Sequence, residues 1–293
     1  MPNKRGFVDF NSDRDVPPLN GKVVFITGGT AGLGAASVLA LAKHNPEHIY
    51  FSGRNAQAAT SLISEVQKTT PAASLTFIEM DLSSLSSVKA ASKKFIHDRL
   101  DILMCNAGIS ENPPALSEDG YEIHFATNHL GHAMLIRQML PVLLKTANLP
   151  DADVRIVILS SRAWWIHEKG GLQSKLANLI YARELAKRFP NIITVSIHPG
   201  IVATGMLAGQ KPSSKVFMTI ENLLMGVSKV DEDEGALNQV WAAAGVKKDG
   251  LVNGGYYEPV GVLCDYKLNK TAKNEGLAKT LWEWTEEALD KIE

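Results

Sequence analysis

The chain has few cysteines, only Cys105 and Cys264 in 293 residues. Two are too few for a disulfide framework and fit a reducing compartment. Neither sign of charge is in excess, since 30 Lys and Arg stand against 31 Asp and Glu, for a formal net charge of −1. A nucleic acid or an anionic membrane as main partner calls for a basic surface, which this balance argues against. No apolar run follows a basic start, so no secretory signal is expected. Each long hydrophobic segment is cut by Gly, Pro or charge before it reaches ~18 residues, so no transmembrane anchor is expected either. Repeats and low-complexity linkers are lacking. These absences point to a soluble cytoplasmic protein. The 45% hydrophobic content suffices for a large core.

What is present is alternation. A polar arm at residues 1–20, with Pro17-Pro18, precedes short apolar or β-branched runs at 22–27, 48–53, 74–80, 101–105, 154–160, 193–198 and 255–258. Between them lie helical patterns near 33–44, 56–69, 85–98, 119–147, 172–189 and 232–244, and the tail 275–291 reads as a final helix. Strands apolar on both faces, each followed by a helix, predict right-handed crossovers. The predicted fold is α/β: a single doubly wound Rossmann-type domain over residues 21–293, with a parallel sheet of about seven strands.

The stretch Thr27-Gly28-Gly29-Thr30-Ala31-Gly32-Leu33-Gly34 lies between the first strand and the first helix of that pattern. A glycine-rich turn there brings backbone N–H groups and a positive helix end up to a pyrophosphate. Gly28 takes the tight turn, Gly32 lets backbone approach phosphate, and Gly34 lets the helix pack on the strand, with Thr30 and Leu33 in the same loop. The second strand ends Ser52-Gly53-Arg54, with no acid to hold the ribose hydroxyls of NAD. A guanidinium suits a 2′-phosphate, so Arg54 with Ser52 predicts NADP as cofactor; a solvated surface arginine is the plainer alternative. Asp81 and Leu82 follow the third strand, where a carboxylate meets an adenine amino group. Asn106, Ala107 and Gly108 end the fourth, small enough for a ribose to approach. Pro199, Gly200, Val202 and Thr204 follow the sixth, where backbone and hydroxyl cap a nicotinamide carboxamide.

In this order, Thr27–Gly34, Asp81, Asn106-Ala107-Gly108, Asn128, Ser160-Ser161, Ser174-Lys175 and Pro199-Gly200 resemble the short-chain dehydrogenases/reductases across residues 20–262. Thr127-Asn128-His129-Leu130-Gly131-His132 and Ser174-Lys175-Leu176-Ala177-Asn178 resemble the retinol-dehydrogenase-like branch, particularly its soluble fungal members. The resemblance implies an NADP(H)-dependent oxidoreductase interconverting an alcohol and a carbonyl on a fairly apolar small molecule. It also implies a possible homodimer through two long helices.

The family's proton donor is a tyrosine whose pKa of ~10 is lowered by a lysine four residues later, on the same helix face. A serine orients the substrate oxygen and an asparagine completes a water-linked proton path. The resemblance carries the asparagine to Asn128, the serine to Ser161 and the lysine to Lys175. Four residues before Lys175 stands Gly171. The tyrosine segment is missing, and the stretch from Ser161 to Lys175 is shorter than the family's. A shifted splice junction explains that shortening; so does a divergent member that binds NADP without redox turnover. Tyr181, six positions past Lys175, points to another side of the helix. His167, Ser161 and Lys175 are weak substitutes. Trp164 and Trp165 suggest an aromatic wall, and residues 205–228 read as a substrate lid or as core or dimer packing, with Tyr256, Tyr257 and Pro259 as a floor to the same pocket. His129 and His132, three apart, have no third ligand, so no metal is expected.

Overall fold

A computed structural model describes residues 8–110, 113–150, 152–162, 170–200 and 231–292, with backbone alone at 170–172. The strands are β1 Val23–Thr27, β2 His48–Gly53, β3 Leu75–Glu79, β4 Ile102–Cys105, β5 Arg155–Leu159, β6 Ile193–Ile197, β7 Tyr256–Glu258 and β8 Val262–Leu263. The helices are α1 Ser12–Asp15, α2 Gly32–Ala42, α3 Ala56–Thr69, α4 Leu85–Ser92, α5 Ile123–Phe125, α6 Gly131–Ala147, α7 Gly170–Arg188, α8 Glu232–Val240 and α9 Glu275–Asp290. One eight-stranded sheet has the order β3-β2-β1-β4-β5-β6-β7-β8. β1 to β7 run parallel, and β8 turns back antiparallel on β7. β8 is the strand beyond the expected seven; at two residues it is too short to show an alternation.

The sheet separates two cores because successive side chains point to opposite faces. Val24, Ile26 and Met104 face the side covered by α2, α3 and α8. Val23, Phe25 and Leu103 face the side covered by α4, α6, α7 and α9. Phe10, Val16 and Leu19 of the N-terminal arm are buried in the first of these cores. The strand order reverses at β1, where β2 and β4 flank it. A crevice opens beyond the strand ends at such a reversal.

Two boundaries differ from the sequence pattern. The helix expected at 85–98 stops at Ser92, because the chain then turns Phe95 inward against Tyr50 and Phe25. The helix expected at 119–147 starts at Ile123 and passes through a π-helical segment, Ala126–Leu130, before α6. A second π-helical segment, Trp241–Gly245, extends α8. Inserted turns of this kind re-aim side chains without breaking the apolar stripe that a periodicity reads. No helix among the described residues is long and apolar enough to cross a membrane.

Candidate active site

The glycine loop is built as its spacing demands. Gly28 and Gly32 have φ of +65° and +56°, in the left-handed region that disfavours side chains. A Cβ on Gly34 would stand 2.1 Å from the Gly28 carbonyl oxygen, so helix and loop meet backbone to backbone. Ala31 caps α2 without a side-chain acceptor for its first-turn N–H groups. An uncapped helix start behind such a loop suits a pyrophosphate. Gly29 N–H donates to the Ser52 carbonyl at 2.9 Å, which pins the loop to the end of β2. Ser52 itself is buried. Thr30 packs its side chain where a Cβ on Gly53 would fall.

Arg54 follows β2 directly with a largely exposed side chain, 3.9 Å from the Asp81 carboxylate beyond β3. The other Asp81 oxygen accepts from Ser83 N–H at 2.8 Å and Ser83 Oγ at 2.7 Å. Arg54 is thus set just beyond the end of β2, and a solvent-exposed pair at that separation holds it weakly. Leu82 is buried, and its carbonyl lies where a Cβ on Gly131 would come within 2.3 Å.

Beyond β1 and β4, Thr27 and Asn106 form one hydrogen-bonded pair. The Thr27 hydroxyl accepts from Asn106 N–H and Ala107 N–H, both at 3.0 Å. Asn106 Nδ2 donates to the Thr27 carbonyl at 2.8 Å. Gly108 lies so close to Asn128 and Lys175 that a Cβ there would stand 3.0 Å from Asn128 Oδ1 and 3.2 Å from Lys175 Nζ.

Asn128 sits in the first π-helical segment, fully buried. Its amide is spent on protein: Oδ1 accepts from Ile109 N–H at 2.8 Å, and Nδ2 donates to Ile109 O at 3.0 Å and to Ser174 Oγ at 2.9 Å. Asn128 therefore clamps the β4 loop to α7. Lys175, on α7, donates from Nζ to the Leu159 carbonyl at 3.4 Å. That carbonyl, the last of β5, also accepts from Asn178 Nδ2 at 3.0 Å. Burial pulls the Lys175 ammonium down to about 8. Ser160 Oγ donates to the Lys175 carbonyl at 2.7 Å, tying the end of β5 to α7. Ser161 follows, half-buried.

The expected asparagine, serine and lysine thus converge on one end of the sheet, with Gly108 between two of them. Gly171 lies in the first turn of α7. The chain's six tyrosines all lie at other positions. Tyr181 is buried, stacked on Trp282 at 5.2 Å and edge-on to His129, and burial pushes its phenol up. Tyr50 bonds His97, and Tyr121 packs against Trp284. Tyr256 is buried with Leu176, Leu179 and Ile180. The Tyr257 hydroxyl accepts from Val252 N–H at 2.7 Å, so its polar end is committed away from a pocket floor. Tyr266 is exposed.

Pro199 and Gly200 follow β6, with Gly200 at φ +98°. Val202, Thr204, the lid 205–228 and Trp164, Trp165 and His167 lie outside the described residues. His129 and His132 serve separate packing partners: His129 Nε2 meets Thr285 Oγ1 at 3.1 Å, whereas His132 Nε2 meets Thr27 Oγ1 at 2.8 Å. Three residues of the constellation were not read from the sequence as site residues: Thr27, His132 and Gln239. The available signal was a polar residue on an otherwise apolar helix face, which demands a buried partner.

Residues 22–215 match the family model described as short chain dehydrogenase. A short-chain dehydrogenase/reductase of Armillaria gallica is 32% identical, covering 94% of this chain and 92% of its own. Retinol dehydrogenase 14 of Homo sapiens is 31% identical, covering 92% and 86% respectively. Among solved structures, a putative NAD(P)-dependent gluconate 5-dehydrogenase from Beutenbergia cavernae with bound NADP superposes with a TM-score of 0.70 at 19% identity, covering 83% of this chain and 96% of that one. An NADPH-bound carbonyl reductase from chicken fatty liver gives 0.62 at 22% identity, covering 84% and 99%. At these identities the two structures speak to the fold.

Proposed function

The chain belongs to the short-chain dehydrogenase family, and on that premise we propose that it binds NADP(H) and reduces carbonyls slowly or not at all. The cofactor supplies a hydride when bound. Gly28, Gly32, Leu33 and Gly34 receive its pyrophosphate at the α2 N-terminus, and Arg54 meets a 2′-phosphate, with Ser52 and Thr30 backing the loop. Asp81 and Leu82 flank the adenine, and Asn106, Ala107 and Gly108 the ribose. Pro199 and Gly200 approach the carboxamide, and Val202 and Thr204, outside the described residues, are the sequence's candidates for the same contact. The substrate class is a fairly apolar alcohol or carbonyl, in a cytoplasmic setting, with a homodimer through α6 and α7 as the expected assembly.

One observation carries the reading of impaired turnover. Lys175 faces Gly108 and Asn128 on α7, and the position one helical turn before it is Gly171. Asn128 positions the β4 loop and Ser161 offers a hydroxyl to a substrate oxygen. A developing alkoxide still needs a proton. Lys175 alone supplies one inefficiently, and its ammonium is titrated away as pH rises through about 8. Any slow NADPH oxidation is therefore expected to fall above that pH. The direct test is NADPH oxidation across a panel of ketones and aldehydes, run beside Gly171→Tyr. Binding without oxidation in the parent, with turnover gained in the variant, supports the proposal. Rapid Ser161-dependent oxidation by the parent contradicts it.

A further inference from the structure

We propose that His132 and Gln239 are positioning residues of the dinucleotide site, gripping the Thr27–Asn106 pair from opposite faces of the sheet. The inference rests on the NADP(H) reading above. Thr27 falls on the strand face of Val23 and Phe25, so its hydroxyl points toward α6. There His132 is buried, with Nδ1 2.9 Å from the Asn128 carbonyl and Nε2 2.8 Å from Thr27 Oγ1. A carbonyl only accepts, so Nδ1 carries the proton. Nε2 is then the acceptor, and the Thr27 hydroxyl donates to it at 2.8 Å in preference to the Met104 carbonyl at 3.4 Å. That leaves the hydroxyl lone pairs for Asn106 N–H and Ala107 N–H. One neutral ring thus joins the carbonyl of Asn128 to the turn that receives the cofactor.

Asn106 is held from the other side. Gln239, on α8 and fully buried, places Nε2 3.1 Å from Asn106 Oδ1, 3.1 Å from Leu33 O and 2.6 Å from Ser37 Oγ. Ser37 donates its own proton to Leu33 O at 2.8 Å, so its oxygen is left to accept, and the Gln239 amide has one sensible orientation. With Oδ1 held by Gln239, Asn106 Nδ2 faces the Thr27 carbonyl and the glycines: it lies 3.2 Å from where a Cβ on Gly28 would be and 2.6 Å from one on Gly34. Gln239 Oε1 is buried without a hydrogen-bond partner among the described residues. A buried unsatisfied oxygen costs stability that a leucine would not. Packing alone does not account for a glutamine there; orienting Asn106 and Leu33 does. Gln239 lies beyond residue 215, where the family match ends.

The two ring nitrogens can be separated by isosteres, since Asn reproduces Nδ1 and Gln reproduces Nε2. NADPH affinity is measured by fluorescence titration of the full chain, beside thermal unfolding without cofactor, for the parent and for His132→Asn, His132→Gln and Gln239→Leu. His132→Asn keeps the Asn128 bond, loses Thr27, and is expected to weaken binding about tenfold, the equivalent of one hydrogen bond. His132→Gln keeps an acceptor for Thr27 and is expected to stay within about twofold. Gln239→Leu is expected to weaken binding about tenfold with little change in unfolding temperature, because removing the unsatisfied Oε1 offsets the acceptors it strands on Asn106 and Ser37. Parent-like affinity in His132→Asn and Gln239→Leu overturns the proposal and spares the cofactor reading. Equal losses in both His132 variants, or losses that track the unfolding temperature, also overturn it. A parent that fails to bind NADPH overturns both.

Discussion

Thr27 uses one hydroxyl for three short bonds, accepting from two backbone N–H groups of the β4 loop and donating to His132, with the Met104 carbonyl a longer 3.4 Å away. Thr27→Val keeps the shape and strands all three, so a loss of about 1–3 kcal/mol is expected in denaturant unfolding, with Thr27→Ser losing much less. Lys175 makes a second residue-level prediction. Its folded-state value of about 8 lies below the ordinary 10.5. Below pH 8 both folded and unfolded chains hold the proton; between the two values only the unfolded chain does. Stability contributed through this group therefore rises with pH across that window. Unfolding of the parent and of Lys175→Met, compared at pH 7.5 and pH 10, is expected to show a gain with pH in the parent larger by on the order of 1–3 kcal/mol. At this scale the sequence was readable where one residue type has one use. The positive φ of Gly28 and the close approach at Gly34 were readable in this way. His132 and Gln239 were not, because their partners lie 105 and 133 positions away.

The glycine loop and α2 act as a unit, since the helix start touches the turn that precedes it. Gly34→Ala drives a Cβ into the Gly28 carbonyl and the Asn106 amide. A stability loss of about 1–3 kcal/mol with NADPH binding abolished is expected, checked by thermal unfolding and titration. Loops, strands and most helices were legible because apolar runs and glycines mark their own boundaries. The π-helical segments at Ala126–Leu130 and Trp241–Gly245 were not. An extra residue in a turn leaves composition unchanged, and its consequence, Asn128 aimed at the Ile109 backbone, is a tertiary contact. The early end of α4 escaped for the same reason: Phe95 has helical neighbours in sequence and an aromatic cluster in space.

Across the whole molecule, seven parallel strands direct their C-terminal ends, and the loops after them, to one side. The glycine loop, Arg54, Asp81, Asn106, Ser161 and Gly200 come from six different strand ends, so the fold assembles what the chain scatters. α9 completes the opposite layer, with Trp282 stacked on Tyr181 and covered by the Arg188 guanidinium at 4.5 Å. That aromatic contact is why Tyr181 belongs to the core and not to chemistry. On the proposed reading, this architecture carries the cofactor-binding half of an oxidoreductase, and Gly171 stands where the family's tyrosine would.

The most direct measurement is an equilibrium titration of the full chain with NADPH and, separately, NADH, repeated on Arg54→Ala. Saturable binding of NADPH about tenfold or more tighter than NADH, with the difference lost in Arg54→Ala, is the expected result, since one charge-assisted phosphate contact accounts for it. No binding of either nucleotide, or tighter binding of NADH, would contradict the assignment of this strand-end crevice as an NADP(H) site.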